Sequence, residues 1–351
     1  MKTALIGLGR IGWGFHRVQI LEHSRFEFCA VVDTSAERLA EAKELHGVEG
    51  FTDYKEMLAK VKPELVVIAS PTVFHEEQAI AAMEAGAHVL LDKPMTMDYE
   101  SALRIAAVQK KTGRKLVIYQ PHRFKPAAIA AKAIIASGKL GKIFQMRTGH
   151  SNFARRNDWQ AFRKNGGGML SNYGAHYIDE MIYLAQSDAK DYSCKLRKIL
   201  SMGDAEDVVN IQMQTKNGIL ITVDINQACS ISDNSLRIYG SNGTAILSDS
   251  EGDEYYLVKY CDPTKLEEKT VTEEMIATGR KYPSDKVEWI TEKYMLADYP
   301  RMDFYALCEK YFMEDGPSPV PLNETLRIME LISLSCLGVA DLQSFINASA
   351  S

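Results

Sequence analysis

The chain has 351 residues, 46% hydrophobic and 25% charged, with a formal net charge of −5. That profile belongs to a globular chain long enough for two ordinary domains. It excludes a general nucleic-acid binder, which needs a basic face, and the apolar runs break well before the ~18 residues of a membrane span.

Met1-Lys2-Thr3 runs directly into a strand-like segment with no apolar leader, so a cytoplasmic location is expected. Six scattered cysteines (Cys29, Cys194, Cys229, Cys261, Cys308 and Cys336) form no CxxC pair. Reduced thiols are expected, with neither a disulfide framework nor a metal site.

The first third alternates short apolar runs with amphipathic ones. Predicted strands are Ala4–Leu8, Phe28–Asp33, Leu65–Ser70, His88–Asp92 and Leu116–Gln120. Helical patterns fall between them, at Gly12–Leu21, Ala36–Leu45, Tyr54–Val61, Glu76–Ala85 and Tyr99–Lys111. Such alternation implies βαβ units and a doubly wound parallel sheet, and the unbroken run Leu65–Ala69 suits a strand covered on both faces. Thr34 and Glu37 are candidates for a capping box on the second helix, with Gly47 closing it.

Past Arg123 the character changes. A helix is predicted at Ala127–Ser137. Strands follow at Ile143–Thr148, Val208–Thr215, Ile219–Asn226, Leu236–Tyr239, Thr244–Leu247 and Tyr255–Tyr260, several joined by hairpin signals such as Lys216-Asn217-Gly218. A charged, mainly helical stretch is expected over Val271–Met313 and a last helix over Glu324–Phe345. The predicted organisation is a Rossmann domain over residues 1–122 and an α+β domain over 123–351, built on a large, mainly antiparallel open sheet.

Gly7-Leu8-Gly9-Arg10-Ile11-Gly12 follows the first strand and opens a helix, and Asp33 ends the second strand. In that context the glycines allow a tight turn, close approach of a pyrophosphate and close helix–strand packing. Free N–H groups at the helix start favour the pyrophosphate. Asp33 is placed for the adenosine ribose hydroxyls, and its charge favours NAD over NADP. Arg38 nearby weakens that discrimination, and Asp33 is also a candidate cap for the next helix.

Asp92-Lys93-Pro94 ends the strand His88–Asp92, where open α/β sheets bind ligands. Ser70-Pro71-Thr72, with His75, forms a loop beside the expected dinucleotide; Thr72 is equally a candidate helix cap. Further on, Gly166-Gly167-Gly168 leads into Asn172, Tyr173, His176 and Asp179. On a helix Asn172 and His176 share a face, and histidine is the natural acid/base near neutral pH. Between lies a basic, aromatic segment with Arg147, Phe153, Arg155, Arg156, Trp159, Arg163 and Lys164. It reads either as a substrate cover, with Trp159 as stacking face and Arg163 as donor fork, or as a solvated basic loop.

The order and spacing of Gly7–Gly12, Asp92-Lys93-Pro94 and Gly166–Asp179 resemble the glucose–fructose oxidoreductase / inositol dehydrogenase / rhizopine-catabolism (Gfo/Idh/MocA) family. His122-Arg123-Phe124 with Pro126 resembles that family's junction between domains. The resemblance implies that Lys93 contacts the reacting hydroxyl and the nicotinamide ribose, and that His176 is the acid/base. Asp92 stands in place of the usual Glu and Asn172 in place of the usual Asp. The expected site is then catalytic Lys93, His176 and Asn172. The cofactor set is Gly7, Gly9, Arg10, Ile11, Gly12, Asp33, Ser70, Pro71, Thr72, His75, Asp92 and Lys93. The substrate set is Arg123, Trp159, Arg163, Asn172, Tyr173 and His176. The implied activity is NAD-dependent oxidation of a sugar, cyclitol or sugar derivative, in a homodimer or homotetramer formed through the open sheet. Two alternatives stay open: an NAD-retaining enzyme that cleaves or epimerises glycosides by transient oxidation, and a non-catalytic dinucleotide-binding regulator.

Overall fold

The computed structural model describes residues 1–232, 235–250, 253–269, 271, 273 and 285–340. Its first layer is a six-stranded parallel sheet of β1 (Lys2–Ile6), β2 (Glu27–Val32), β3 (Glu49–Phe51), β4 (Leu65–Ile68), β5 (His88–Asp92) and β6 (Leu116–Tyr119). The strand order is β3-β2-β1-β4-β5-β6. The connecting helices are α1 (Arg17–Glu22), α2 (Ala36–His46), α3 (Tyr54–Val61), α4 (His75–Glu84) and α5 (Tyr99–Thr112). One wide turn, Gly12–His16, with π-helical spacing, precedes α1. All four residues of β4 are fully buried, as expected of a strand covered on both faces.

Local chemistry sets the helix ends. Ser35, not Thr34, caps α2: its backbone is extended and its side chain accepts from the Arg38 N–H. Glu37 therefore falls one position short of closing a capping box. Gly47, at φ 68°, ends the helix in the left-handed conformation.

The second layer starts with α6 (Pro126–Ala136), β7 (Ile143–Ser151) and α7 (Ala175–Ala185). Strands β8 (Ala189–Arg197), β9 (Val208–Thr215), β10 (Leu220–Asn226), β11 (Arg237–Gly240), β12 (Gly243–Ser250), β13 (Asp253–Cys261) and β14 (Trp289–Met295) follow. Helices α8 (Phe304–Met313) and α9 (Leu322–Ala340) end the described chain. The order β14-β13-β12-β11-β7-β10-β9-β8 makes an eight-stranded sheet in which β7 and β10 run parallel and the other pairs antiparallel. Alternate residues of β9 and β10 (Val209, Ile211, Met213; Ile221, Val223, Ile225) are buried, while Gln212 and Asp224 between them face solvent. That pattern marks a sheet covered on one side.

Two expectations need correction, and a third falls outside the described residues. Strands β3 and β8 were not foreseen. The stretch after residue 271 was expected to be mainly helical, but it contains the edge strand β14. The last helix is described only to Ala340, so its expected end at Phe345 lies outside the described residues. Helix α8 also returns to the first layer, where Phe304, Tyr305, Cys308 and Phe312 pack with Leu5, Ile20, Val67 and Leu90. A cut at residue 122 would separate the Rossmann sheet from a helix that covers it. Among the described residues no helix is long and apolar enough to cross a membrane.

Candidate active site

The turn after β1 is shaped for close approach. Gly7 has φ +89°, and a Cβ there would lie 2.7 Å from Ser70 N. A Cβ on Gly12 would collide with the Gly7 carbonyl. Gly9 differs: a Cβ there would meet nothing within 4 Å. The protein's own packing thus requires Gly7 and Gly12, whereas the space at Gly9 is open for a ligand. Asp33, just past β2, accepts hydrogen bonds from Leu8 N (2.7 Å) and Ser35 N (2.9 Å), with Arg38 Nη1 3.4 Å away. Arg10 and Ile11 project outward, and Arg10 reaches Asp158 of the following domain at 3.5 Å. A dinucleotide fits this cradle: Gly7–Gly12 would receive the pyrophosphate and Asp33 the ribose.

The Ser70–His75 loop is a brace. Ser70 Oγ donates to Gln78 at 2.6 Å, and Thr72 is buried beneath Gly166. His75 is fully enclosed, with its ring nitrogens against the carbonyls of Ser70 (2.9 Å) and Pro94 (3.0 Å). Both ring nitrogens thus brace the carbonyls on either side of the site, Ser70 before Pro71 and Pro94 after the Lys93-Pro94 peptide, which is cis.

Lys93 leaves the end of β5. Its Nζ donates to the Asn172 backbone oxygen (2.7 Å) and to Asn172 Oδ1 (3.1 Å). Burial, then the charges of Arg156 and Lys125, outweigh the attraction of Asp92 and bring the Lys93 pKa down to about 8. Asp92 accepts from the Lys93 N–H at 2.8 Å, and burial pushes its carboxyl up to about 6.

Asn172 lies in a π-type turn, Leu170–Gly174, that leads into α7. Its amide also approaches Gln160 Oε1 at 3.5 Å. His176, in the first turn of α7, is buried. Nδ1 is sealed without a hydrogen-bond partner, so Nε2 is the nitrogen left open. Burial, then Lys93, His122 and Lys125, hold its pKa well below the ordinary value, so the ring is neutral at pH 7. The His122 ring lies flat against it, with centroids 4.3 Å apart. Glu180 Oε2 sits 3.2 Å from His122 Nδ1. Tyr173 stacks on His150 at 4.2 Å.

The glycine run approaches the protein itself. A Cβ on Gly166 would press on Met97 and Thr72, on Gly167 on the Gln160 backbone, and on Gly168 on the Glu206 carboxylate. These contacts seat the glycine run against Thr72, the basic loop and Glu206. Within that loop Trp159 is partly exposed, and Arg163 stands 3.7 Å from Glu206. Arg156, 3.3 Å from Asp158, acts on Lys93.

Arg123 lies at the domain junction. It is buried, its guanidinium forks onto Asp179 at 2.6 and 2.7 Å, and its remaining nitrogen pairs with Glu324. These bonds tie the domain junction to α7 and α9 and give Asp179 its partner. Four neighbours of the reacting groups were not foreseen as site residues: His122, Lys125, His150 and Glu180. His122 had been visible only as part of the junction.

Two family models match. Residues 1–120 match "Oxidoreductase family, NAD-binding Rossmann fold", and residues 128–246 match "GFO/IDH/MocA C-terminal domain". Among curated relatives, D-glucoside 3-dehydrogenase of Escherichia coli is 30% identical, over 52% of this chain and 54% of that protein. An inositol 2-dehydrogenase of Corynebacterium glutamicum is 26% identical, over 64% and 67%. The chain spans about half the length of the first curated relatives it matches. Among solved structures, an NAD-binding protein from Listeria innocua aligns with TM-score 0.79 at 24% identity, covering 94% of this chain and 92% of that one. The WlbA dehydrogenase of Bordetella pertussis, solved with NADH and UDP-GlcNAcA, aligns with TM-score 0.77 at 20% identity, covering 96% and 97%. These structures share the fold. With matches to both of its domain models, the chain belongs to the GFO/IDH/MocA oxidoreductase family.

Proposed function

We propose that this protein oxidises, reversibly, a carbinol of a sugar, cyclitol or sugar derivative, with NAD as the preferred partner. The observation that carries this reading is the meeting of Lys93, Asn172 and a neutral, buried His176 at the end of β5. When bound, the nicotinamide supplies the hydride acceptor. The chain's own residues handle the proton and the charge. Nε2 of His176 takes the hydroxyl proton. Lys93, held in place by Asn172, donates to the same oxygen and stabilises the negative charge that develops on it. With Nδ1 sealed, the imidazolium is costly and returns its proton readily. Gly7, Gly9, Gly12 and Asp33 would hold the dinucleotide, and Trp159 and Arg163 the far side of the sugar. The relatives named as sugar and inositol dehydrogenases support the substrate class.

The test is a screen of NAD reduction over sugars, cyclitols and glycosides, followed by Lys93→Ala and His176→Ala. Each variant should lose ~10²-fold or more in kcat while still binding NAD by calorimetry. Near-native turnover by either would remove the role assigned to that residue.

A further inference from the structure

Several cations surround the reacting groups. Lys93 comes from the end of β5. Lys125 closes the turn after β6, its N–H donating to the His122 carbonyl at 3.1 Å. Arg156 comes from the loop after β7, and Arg301 lies on the far side of Lys125, close enough to act on it. His122, His150 and His176 complete the wall.

The acids that face this wall are all engaged. Asp92 accepts from the Lys93 N–H. Glu180 sits on His122. Asp158 is shared between Arg10 and Arg156. Asp179 is held by Arg123. Glu206 accepts from Leu170 N, and Asp207 from the N–H groups of Ile199, Leu200 and Ser201. Tyr173 and Tyr177 bring no charge.

Lys125 has no such arrangement. It is half-buried, yet among the described residues its ammonium has no hydrogen bond and no ion pair. Its charge reaches Lys93, His122, His150 and His176. Two polar atoms are also sealed without a partner, His150 Nε2 and Asn152 Oδ1. Glu180, which already meets His122, attracts Lys125 without forming an ion pair with it. A half-buried cation with no ion-pair partner is costly, and a bound anion offsets that cost through a charge-assisted hydrogen bond.

We propose that Lys125 holds an anionic group on the substrate, so that the polyol taken here is a sugar acid or a sugar phosphate rather than a neutral sugar. This rests on the oxidoreductase reading for the reaction, but not for the binding. Burial, with Arg156 and Lys125, depresses the pKa of Lys93, and burial, with Arg301 and against the pull of Glu180, depresses that of Lys125. A bound anion raises both again, which keeps Lys93 protonated where it must donate.

The experiment compares matched compounds that differ in charge: D-glucuronate and D-galacturonate, D-glucose 6-phosphate, and neutral D-glucose and D-galactose. Binding to the protein–NAD complex is measured by calorimetry, and NAD reduction alongside it. One class of anion should bind at least tenfold more tightly than its neutral counterpart. Raising ionic strength from about 0.02 to 0.3 M should weaken the anion and leave the neutral sugar unaffected. Lys125→Met should collapse the acid-to-neutral ratio toward one, and Lys125→Arg should keep most of it. The arm that wins identifies carboxylate or phosphate. Equal binding of neutral and anionic sugars, no binding of any anion, or a ratio unchanged in a folded Lys125→Met would overturn the proposal. Lys125-dependent anion binding with no NAD reduction by any compound would instead sink the oxidoreductase reading and leave the anion site standing.

Discussion

The imidazole rings of His122 and His176 lie face to face, 4.3 Å between centroids and 6° from parallel, and Glu180 meets His122 at 3.2 Å. Two stacked imidazoles cannot both carry a proton cheaply. Burial lowers the pKa of both rings, and Glu180 offsets part of this at His122 only, so the first proton to enter the pair goes to His122 and its charge adds to the burial that keeps His176 neutral.

His122→Phe keeps the stack and removes that charge. The pKa of His176 should then rise, because a repulsive cation is gone. Oxidation needs neutral His176, so the acid limb of the kcat/KM profile should move to higher pH by up to about one unit. Overlapping acid limbs in the parent and variant would show that His122 only packs.

Gly9 and Gly12 separate ligand binding from folding. A Cβ at Gly9 enters open space, whereas one at Gly12 strikes the Gly7 carbonyl. Gly9→Ala should therefore keep its melting temperature within about 3 °C, which for a chain this size corresponds to a change of roughly 1 kcal/mol, while losing tenfold or more in NAD affinity. Gly12→Ala should melt well below both. A Gly9→Ala protein with parental NAD affinity would place the pyrophosphate elsewhere.

Asp33 and Arg38 act in opposite directions on cofactor choice. The Asp33 carboxylate would repel a 2′-phosphate, and the expected preference for NAD is about tenfold to a hundredfold. Arg38, 3.4 Å away, offsets part of it. Asp33→Ser should narrow the ratio of NAD to NADP affinities and Arg38→Ala should widen it. Equal affinities for the two dinucleotides in the parent would end this account.

The legible parts of the site were those set by local spacing. Gly7–Gly12, Asp33 and Lys93 each sit at a strand end, so the sequence pattern placed them within a residue or two. Arg123 and Asp179 were legible as motif residues but not as partners, since 56 positions separate them. Lys125, His150 and Glu180 lie on a turn, a strand and a helix, and no spacing announces that their side chains converge. The missed strands have a similar explanation. β8 and β14 are sheet edges, rich in charge, and β8 carries an irregularity between Ala189 and Asp191 that breaks its alternation. β14, with Glu292 and Lys293 amid Trp289, Ile290 and Tyr294, shows too little burial contrast to stand out from a charged helix.

Asn172 tests how the missing charge at this position tunes the site. Its Oδ1 accepts from Lys93 Nζ at 3.1 Å, so a carboxylate in the same place would pair directly with that ammonium. Opposite charge at this range favours the protonated form, so Asn172→Asp should raise the Lys93 pKa above about 8, its present value. The same charge lies near His176 and should raise its pKa too. Oxidation uses protonated Lys93 and neutral His176, so both limbs of the kcat/KM profile should move to higher pH, the basic limb with Lys93 and the acid limb with His176. Asn172→Ala removes the contact without adding charge; it should chiefly raise KM and leave the limbs near their parental positions. Profiles measured from pH 5 to 10 distinguish the two effects. If the Asn172→Asp profile overlays the parent, the amide acts only as a spacer, and the pKa of Lys93 is set by burial, Asp92, Arg156 and Lys125 without it.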